Sequence, residues 1–319
     1  MHEKNSTLGR SELELSIVIA LIAGRHAALT PCLKALEAST RLHRVECIVP
    51  YDARLDSVEE LVKKFPWVDF VDARAKVDET QFGSFSREHH DILRALGIRR
   101  ARGRVIALLE DHGTPSPDWC AAVLQAHHGP YAAIGGAVEN GVDRLLNWAV
   151  YYCDFGRYQN PVPEGPAEFL SDSNVSYKRE ALESVKALWF DAFHETSVHW
   201  ELRRQGEILR LEPRMVVYQM RRTLRLLPAW HERYVWGRSF AGTRASETTM
   251  ARRIVYASLS FLLPVILSWR IVLQSLHRRR YLSRLLLSLP LIVSLETIWS
   301  LGEFVGYVTG RPSGLGHKT

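Results

Sequence analysis

The sequence predicts an α/β protein: a Rossmann-like, mainly parallel sheet flanked by helices, with a C-terminal pair of membrane-associated helices added. Two observations predict it. Short apolar runs rich in β-branched residues alternate with segments of helical spacing through the first half of the chain, and parallel strands joined by helices require that alternation. The last third instead holds two apolar stretches of more than twenty residues each.

"LSIVIALIAG" (15–24) is an unbroken apolar run that suits a strand buried on both faces. "TPCLKALEAS" (30–39) has helical spacing with a proline near its start. A second strand, "VECIVPY" (45–51), a helix, "SVEELVKKF" (57–65), and a third strand, "VDFVDA" (68–73), follow. "SREHHDILRALGIRRARG" (86–103) reads as a helix closed by Gly103, and "RVIALLED" (104–111) as the fourth strand. Beyond it "AAIGGAVEN" (132–140) is a further strand and "NPVPEGPAEF" (160–169) a proline-punctuated loop. "SDSNVSYKREAL" (171–182) reads as a turn leading into a helix, "FHETSVHWELRRQGEI" (193–208) as a helix ended by Gly206, and "RLEPRMVVYQM" (210–220) as the last strand.

Parallel sheets of this kind bind ligands at the carboxyl ends of their strands. Glu110, Asp111 and His112 stand at such an end, and so does Asp52. A dinucleotide site would need GxGxxG after the first strand; "IAGRHAAL" has one glycine, and no P-loop is present. The adjacent pairs His89-His90 and His127-His128 are expected at the surface rather than on a metal.

The net charge of +6 hides an asymmetry. From Arg221 to Thr319 there are fifteen Lys/Arg against four Asp/Glu, which leaves the first 220 residues with a net charge of −5. A mildly acidic body is joined to a basic tail that seeks surfaces. "IVYASLSFLLPVILSWRIVLQSL" (254–276) and "LLLSLPLIVSLETIWSLGEFVGYV" (285–308) would each form a helix of roughly 35 Å, against a hydrocarbon core of about 30 Å. The chain divides accordingly into an N-terminal tail (1–10), a catalytic domain (11–220), amphipathic interfacial helices (221–253) and two hydrophobic membrane-associated helices with a tail (254–319). Segment 221–245 interleaves Arg with Leu, Trp, Tyr and Phe; next to the apolar stretches this suits an interfacial helix on an anionic membrane, not nucleic acid.

Two membrane arrangements follow from the tail. If both segments span, the Arg-rich loop "HRRRYLSR" (277–284) lies across the membrane from the body. If they re-enter or lie in the interface, loop and body share one face. The N-terminus has no apolar h-region, so no cleaved leader is expected. The four scattered cysteines read as reduced core thiols, and the body is placed on the cytoplasmic side of an inner or plasma membrane.

The order of these motifs resembles the family 2 glycosyltransferases of GT-A fold from about Leu15 to Met220. The resemblance implies a nucleotide-diphosphate sugar as donor, UDP- or GDP-linked, and Mn²⁺ or Mg²⁺ as cofactor. It implies a nucleotide contact for Asp52, at the end of "PYDARLD", and matches Arg94 and Gly97 to the stretch preceding the family's DxD motif. That motif falls on Glu110-Asp111-His112, followed by Pro115, Pro117 and Trp119. Glu110 would orient the ribose or metal-bound water and stand with His112 at the metal, His112 would ligate it, and Asp111, pointing away along the strand, would orient the loop.

"SDSNVSYKR" matches the acceptor-side segment, with Asp172 and Asn174, and Glu195 takes the position of the catalytic base. Gln219 and Arg222 stand in the spacing of a QxxRW motif whose Trp is replaced by Thr223, so transfer of a single sugar rather than processive polymerisation is expected. The sequence departs from the family after the first strand, where Ala20 and Ala23 replace the usual Pro and Asn. It departs again at His112, for Asp, and at His194-Glu195, for Glu-Asp. An acceptor held at the bilayer, lipid-linked or membrane-proximal, completes the expectation of an inverting enzyme of glycan, exopolysaccharide or envelope assembly. The alternatives are a catalytically degenerate membrane scaffold, a nucleotidyltransferase or a nucleic-acid-binding module.

Overall fold

The computed structural model describes residues 13–21, 26–42, 44–55, 57–74, 87–246 and 248–311. The expected N-terminal tail, the position of Ala23 and the last eight residues lie outside the described residues.

β1 (Leu15–Ala20) is buried along its whole length, as its unbroken apolar run requires. α1 (His26–Leu42), β2 (Val45–Tyr51), α2 (Glu59–Lys64), β3 (Val68–Asp72), α3 (Arg87–Arg100) and β4 (Val105–Glu110) then alternate. β1 pairs in parallel with β2 and β4, and β2 with β3. Ile17 and Ile19 pack on α1 in one apolar core, whereas Val18 and Ile48 face Ile98 of α3 in another. Both faces are therefore covered, which explains why β1 carries no polar alternation beyond Ser16. α3 lies close against the sheet because Gly97 has no side chain: a Cβ there would stand 2.3 Å from Val18 Cγ1.

After β4 the chain folds back with β5 (Gly113–Pro115), α4 (Trp119–Ala126), β6 (Ala133–Asn140) and α5 (Leu145–Phe155). β7 (Gly165–Pro166), β8 (Asn174–Lys178), α6 (Arg179–Ser184), α7 (Glu195–Arg204) and β9 (Leu209–Gln219) complete the body. The strand order is β3-β2-β1-β4-β8-β6-β9-β5, with β7 on β9. β8 runs antiparallel to both β4 and β6, so the sheet is mixed on this side. This strand occupies residues that read as a turn leading into a helix. Its polar side chains, Asn174 and Ser176, are buried but bonded to their neighbours, and turn composition concealed a central strand.

Four helices follow: α8 (Leu226–Ser246), α9 (Met250–Leu259), α10 (Leu263–Arg278) and α11 (Leu282–Thr309). α9 passes into α10 through one 3₁₀ turn at Ser260–Leu262, so 250–278 is in effect one long helix. The expected division at 253/254 thus falls inside α9. α11 is fastened to the body: Ile292 and Leu295 share a core with Trp148 and Tyr152 of α5. Arg233 of α8 bonds Asp154 at 2.6 Å and Glu296 of α11 at 3.0 Å.

Candidate active site

The parallel register sets Ala20 beside Glu110 and Tyr51 beside Asp72, so the carboxyl ends of β1 to β4 open on one side. Beyond Glu110 the chain turns through Asp111 and His112 into β5, whose Gly113 pairs with Gln219 of β9. That pairing delivers the Gln219 side chain, and its Nε2 donates to Glu110 Oε2 at 3.0 Å. His112 lies between two carboxylates, with Nε2 3.2 Å from Glu110 Oε2 and Nδ1 2.7 Å from Asp111 Oδ1. Asp111 is fully buried on the far side of the ring, so the residue expected to point away orients the imidazole.

Charge follows from this packing. Burial alone would raise the Glu110 carboxyl, but His112, Arg94 and the Gln219 amide together hold it far below its ordinary value. Burial would lower His112, and the Glu110 and Asp111 carboxylates outweigh it, raising the imidazole above its usual value.

Among the described residues no group of three or more His, Cys, Asp or Glu could hold a metal by itself. Glu110 and His112 nevertheless form a two-donor pair, and an acidic partner on the second imidazole nitrogen is the usual companion of a metal-ligating histidine. Gln219 Oε1 is buried without a partner beside it. A divalent cation that draws its remaining ligands from phosphate and water fits such a half-set.

Arg94 of α3 is 2 % exposed and reaches across the sheet end. Its Nη1 lies 2.6 Å from Asp172 Oδ2 and 3.9 Å from Asp91 Oδ1. Asp91 Oδ2 in turn faces His194 Nδ1 at 3.2 Å, and the Phe193 amide donates to the Asp91 carbonyl. These bonds place the start of α7, with Glu195 in its first turn, against α3. Glu195 Oε1 stands 3.8 Å from His199 Nδ1, one helical turn on, and His199 Nε2 shares a 2.7 Å hydrogen bond with the Tyr177 hydroxyl. Burial raises the hydroxyls of Tyr158 and Tyr177, and the negative charges of Glu195 and Asp172 raise them further. Arg94 thus pairs with Asp172 and feels the charge of Glu110, while Glu195 and Asp172 both act on the Tyr158 and Tyr177 hydroxyls.

Burial also pushes His199 down to about 4 and His127 to about 3. Both stay neutral in the folded chain below pH 6.5, where the unfolded chain takes up protons. Their contribution to stability is therefore complete above 6.5 and declines as pH falls towards 4 and 3, by about 1.4 kcal/mol per group per pH unit. Chemical denaturation at pH 7 and pH 5 should show a smaller acid loss for His199→Gln than for the unsubstituted protein. Equal losses would place His199 in a wetter setting.

At the end of β2, Asp52 is 3 % exposed. Its carboxylate takes two bonds from the Arg54 guanidinium, at 2.9 and 2.6 Å, and one from the Arg54 amide. Those bonds hold it below the usual carboxylate range. His89 Nε2 lies 3.9 Å away. His89 is therefore buried beside Asp52, and His127 is buried on Ser176. Neither histidine sits at the surface as expected.

Three expected ligand contacts are also displaced. Asn174 donates to the carbonyls of Ala137 and Met215 and accepts from Trp119 Nε1, and both residues are fully buried. They clamp β8, β6, β9 and α4 and offer no atom to an acceptor. Arg222 is exposed, and its carbonyl accepts from Arg144. Its neighbour Arg221 is the one turned inward: it binds Glu232 of α8 at 2.6 and 2.8 Å and feels the charges of Asp154 and Glu110. Sequence reading missed Asp91, His199 and Arg221. The first two were accessible from spacing, since Asp91 is three residues from Arg94 and His199 four from Glu195 on helices.

The sequence profile of the family described as "Glycosyl transferase family 2" matches residues 16–186. Curated protein sequences contain no match. Among solved structures, the mannosyltransferase PcManGT from Pyrobaculum calidifontis, in complex with GDP-Man and Mn²⁺, is similar in fold. It has 13 % identity and a TM-score of 0.50 over 93 % of this chain and 85 % of that one. S. aureus TarS aligns over 70 % of this chain but only 39 % of its own, at 10 % identity and a TM-score of 0.46.

Proposed function

The chain belongs to glycosyl transferase family 2, and on that premise we propose that it moves one sugar from a UDP- or GDP-linked donor to a lipid-linked or membrane-proximal acceptor, with inversion. The observation that carries this reading is the sheet end: His112 held between Glu110 and Asp111, Arg94 paired with Asp172, and the start of α7, with Glu195, set against α3 through Asp91 and His194.

Departure of a nucleoside diphosphate leaves at least two negative charges to be stabilised. A bound Mn²⁺ or Mg²⁺, held by Glu110 and His112, would supply that neutralisation. Asp111 keeps the imidazole facing Glu110, and Gln219 fixes the carboxylate from the other side. Arg94 adds fixed positive charge in a buried setting, where its field is weakly screened. Asp52, released from Arg54, accepts from the base or ribose. Glu195 takes the proton of the acceptor hydroxyl as that oxygen attacks the anomeric carbon opposite the leaving group, and single displacement of this kind inverts the configuration.

The acceptor class rests on the tail. Residues 250–278 and 282–309 are long and apolar enough to cross a membrane, and much of their apolar surface away from the body faces outward. Val265 and Leu286 are 72 % and 69 % exposed, while Ser268, Ser288, Ser300 and Glu296 are buried. Helices surrounded by lipid bury their small and polar residues in this way, whereas a water-soluble hairpin would bury its leucines. A cleft held at a bilayer by these helices serves substrates of the envelope, with the body on the cytoplasmic side.

The test is transfer from UDP- and GDP-sugars to polyprenyl-phosphate or glycolipid acceptors, with the anomeric configuration of the product read by NMR. Glu195→Gln should lower transfer by about 10²–10⁴-fold while donor binding persists. Retained configuration, or an undiminished rate in the variant, would remove Glu195 from the role of base.

A further inference from the structure

We infer that the C-terminal helices lie in the plane of one leaflet, so that the catalytic body, the hairpin turn and the end of α11 all stay on the same side of the bilayer. This rests on the membrane reading above and goes beyond it, because attachment alone leaves spanning and in-plane arrangements equally open.

Three observations carry it. The basic turn between α10 and α11 is not remote from the body. Arg280 bonds Glu139 and the carbonyl of Asn160, Arg278 bonds the carbonyls of Gly156 and Arg157, and Arg284 pairs with Asp143. The Tyr152 hydroxyl donates to the carbonyl of Tyr281. A pair of spans with this turn across the membrane is thereby excluded. The chain leaves the body along α8, returns to it along α9–α10, and leaves again along α11.

A crossing by α11, alone or with α8 and α9–α10, would take α8 into the bilayer, and α8 is not made for it. It carries His231, Glu232, Arg233, Arg238 and Arg244. It also packs side by side with the C-terminal half of α11: a Cβ at Gly302 would lie 2.3 Å from the Tyr234 carbonyl, and one at Gly306 2.5 Å from that of Arg238. α11 therefore cannot stand across a bilayer without drawing the charges of α8 in with it. Arg270 makes the same point on α10. It is exposed between Trp269 and Leu273, themselves exposed, and faces lipid if 250–278 spans. At an interface its guanidinium reaches the headgroups.

The charges of the layer name the surface it fits. Arg222, Arg225, Arg244, Arg252, Arg270 and Arg279 are exposed. Among the described residues of 221–311 every carboxylate is partly or wholly buried: Glu232 pairs with Arg221, Glu296 with Arg233, and Glu303 accepts from Trp299. An apolar face edged only by exposed cations is complementary to an anionic leaflet.

The experiment reconstitutes the full chain into sealed vesicles of phosphatidylcholine with about one-third phosphatidylglycerol, the anionic share chosen to favour cationic faces. Single cysteines are placed at Lys186→Cys on the body, at Arg279→Cys in the turn and at Thr309→Cys on α11. The native cysteines are largely buried, and the unsubstituted protein measures their background. An impermeant maleimide should label all three positions to the same extent before and after detergent. Thr309→Cys protected in vesicles that label Lys186→Cys, and exposed only by detergent, would overturn the in-plane arrangement. Failure of the unsubstituted protein to float with the vesicles would instead overturn the membrane reading on which it rests.

Discussion

His112→Ala is expected to lower sugar transfer by about 10²–10³-fold, the usual cost of removing one preorganised group from a charge-stabilising site. The imidazole lies between the Glu110 and Asp111 carboxylates, and its position is set from both sides, at 3.2 Å and 2.7 Å. The companion variant separates ligation from packing. Asp111→Asn keeps the shape of the buried side chain but removes the charge that orients the ring, and should cost about 10–100-fold in Mn²⁺ affinity. Transfer rates measured against Mn²⁺ concentration check both. A His112→Ala enzyme with an unchanged rate and metal dependence would mean that the turn is structural, with Glu110 merely fastening β9.

The largest expected effect on stability lies away from the site. Arg233 is buried and joins Asp154 on α5 to Glu296 on α11. Burial raises the Asp154 carboxyl to about 6, and Arg233 limits that rise. Arg233→Met leaves the two carboxylates enclosed without their bonded cation and should destabilise the protein by about 3–5 kcal/mol. Adding Asp154→Asn and Glu296→Gln removes the orphaned charges, so the triple variant should regain most of the loss. Denaturant midpoints in detergent decide the matter. If Arg233→Met alone were neutral, the helical layer would be held by its apolar contacts and the ion network would be incidental.

How much of this was legible follows from the kind of signal each element carries. β1 to β4 and α1 to α3 repeat one pattern, apolar runs between amphipathic segments, and the fold reads them as the sequence does. The second half breaks that pattern. β8 places Asn174 and Ser176 in the interior because neighbouring carbonyls satisfy them, and α5, "LLNWAVYYCDF", meets apolar partners on several sides and so shows no clear stripe. At the site, the three-residue cluster at 110–112 announced itself by adjacency and strand-end position. Arg222 did not, because the chain turns beyond the end of β9, leaving Arg222 exposed and Arg221 held inward on Glu232. Asn174 and Trp119 stand in the order the resemblance implied, but their polar atoms bond each other and the sheet rather than the cleft.

The most direct test of the central claim is calorimetric binding of UDP and GDP, with and without Mn²⁺, to the detergent-purified chain and to His112→Ala. One nucleotide should bind only with the metal, and that binding should be lost in the variant. Binding of neither nucleotide by folded protein would contradict the account and leave a glycosyltransferase fold without its donor site.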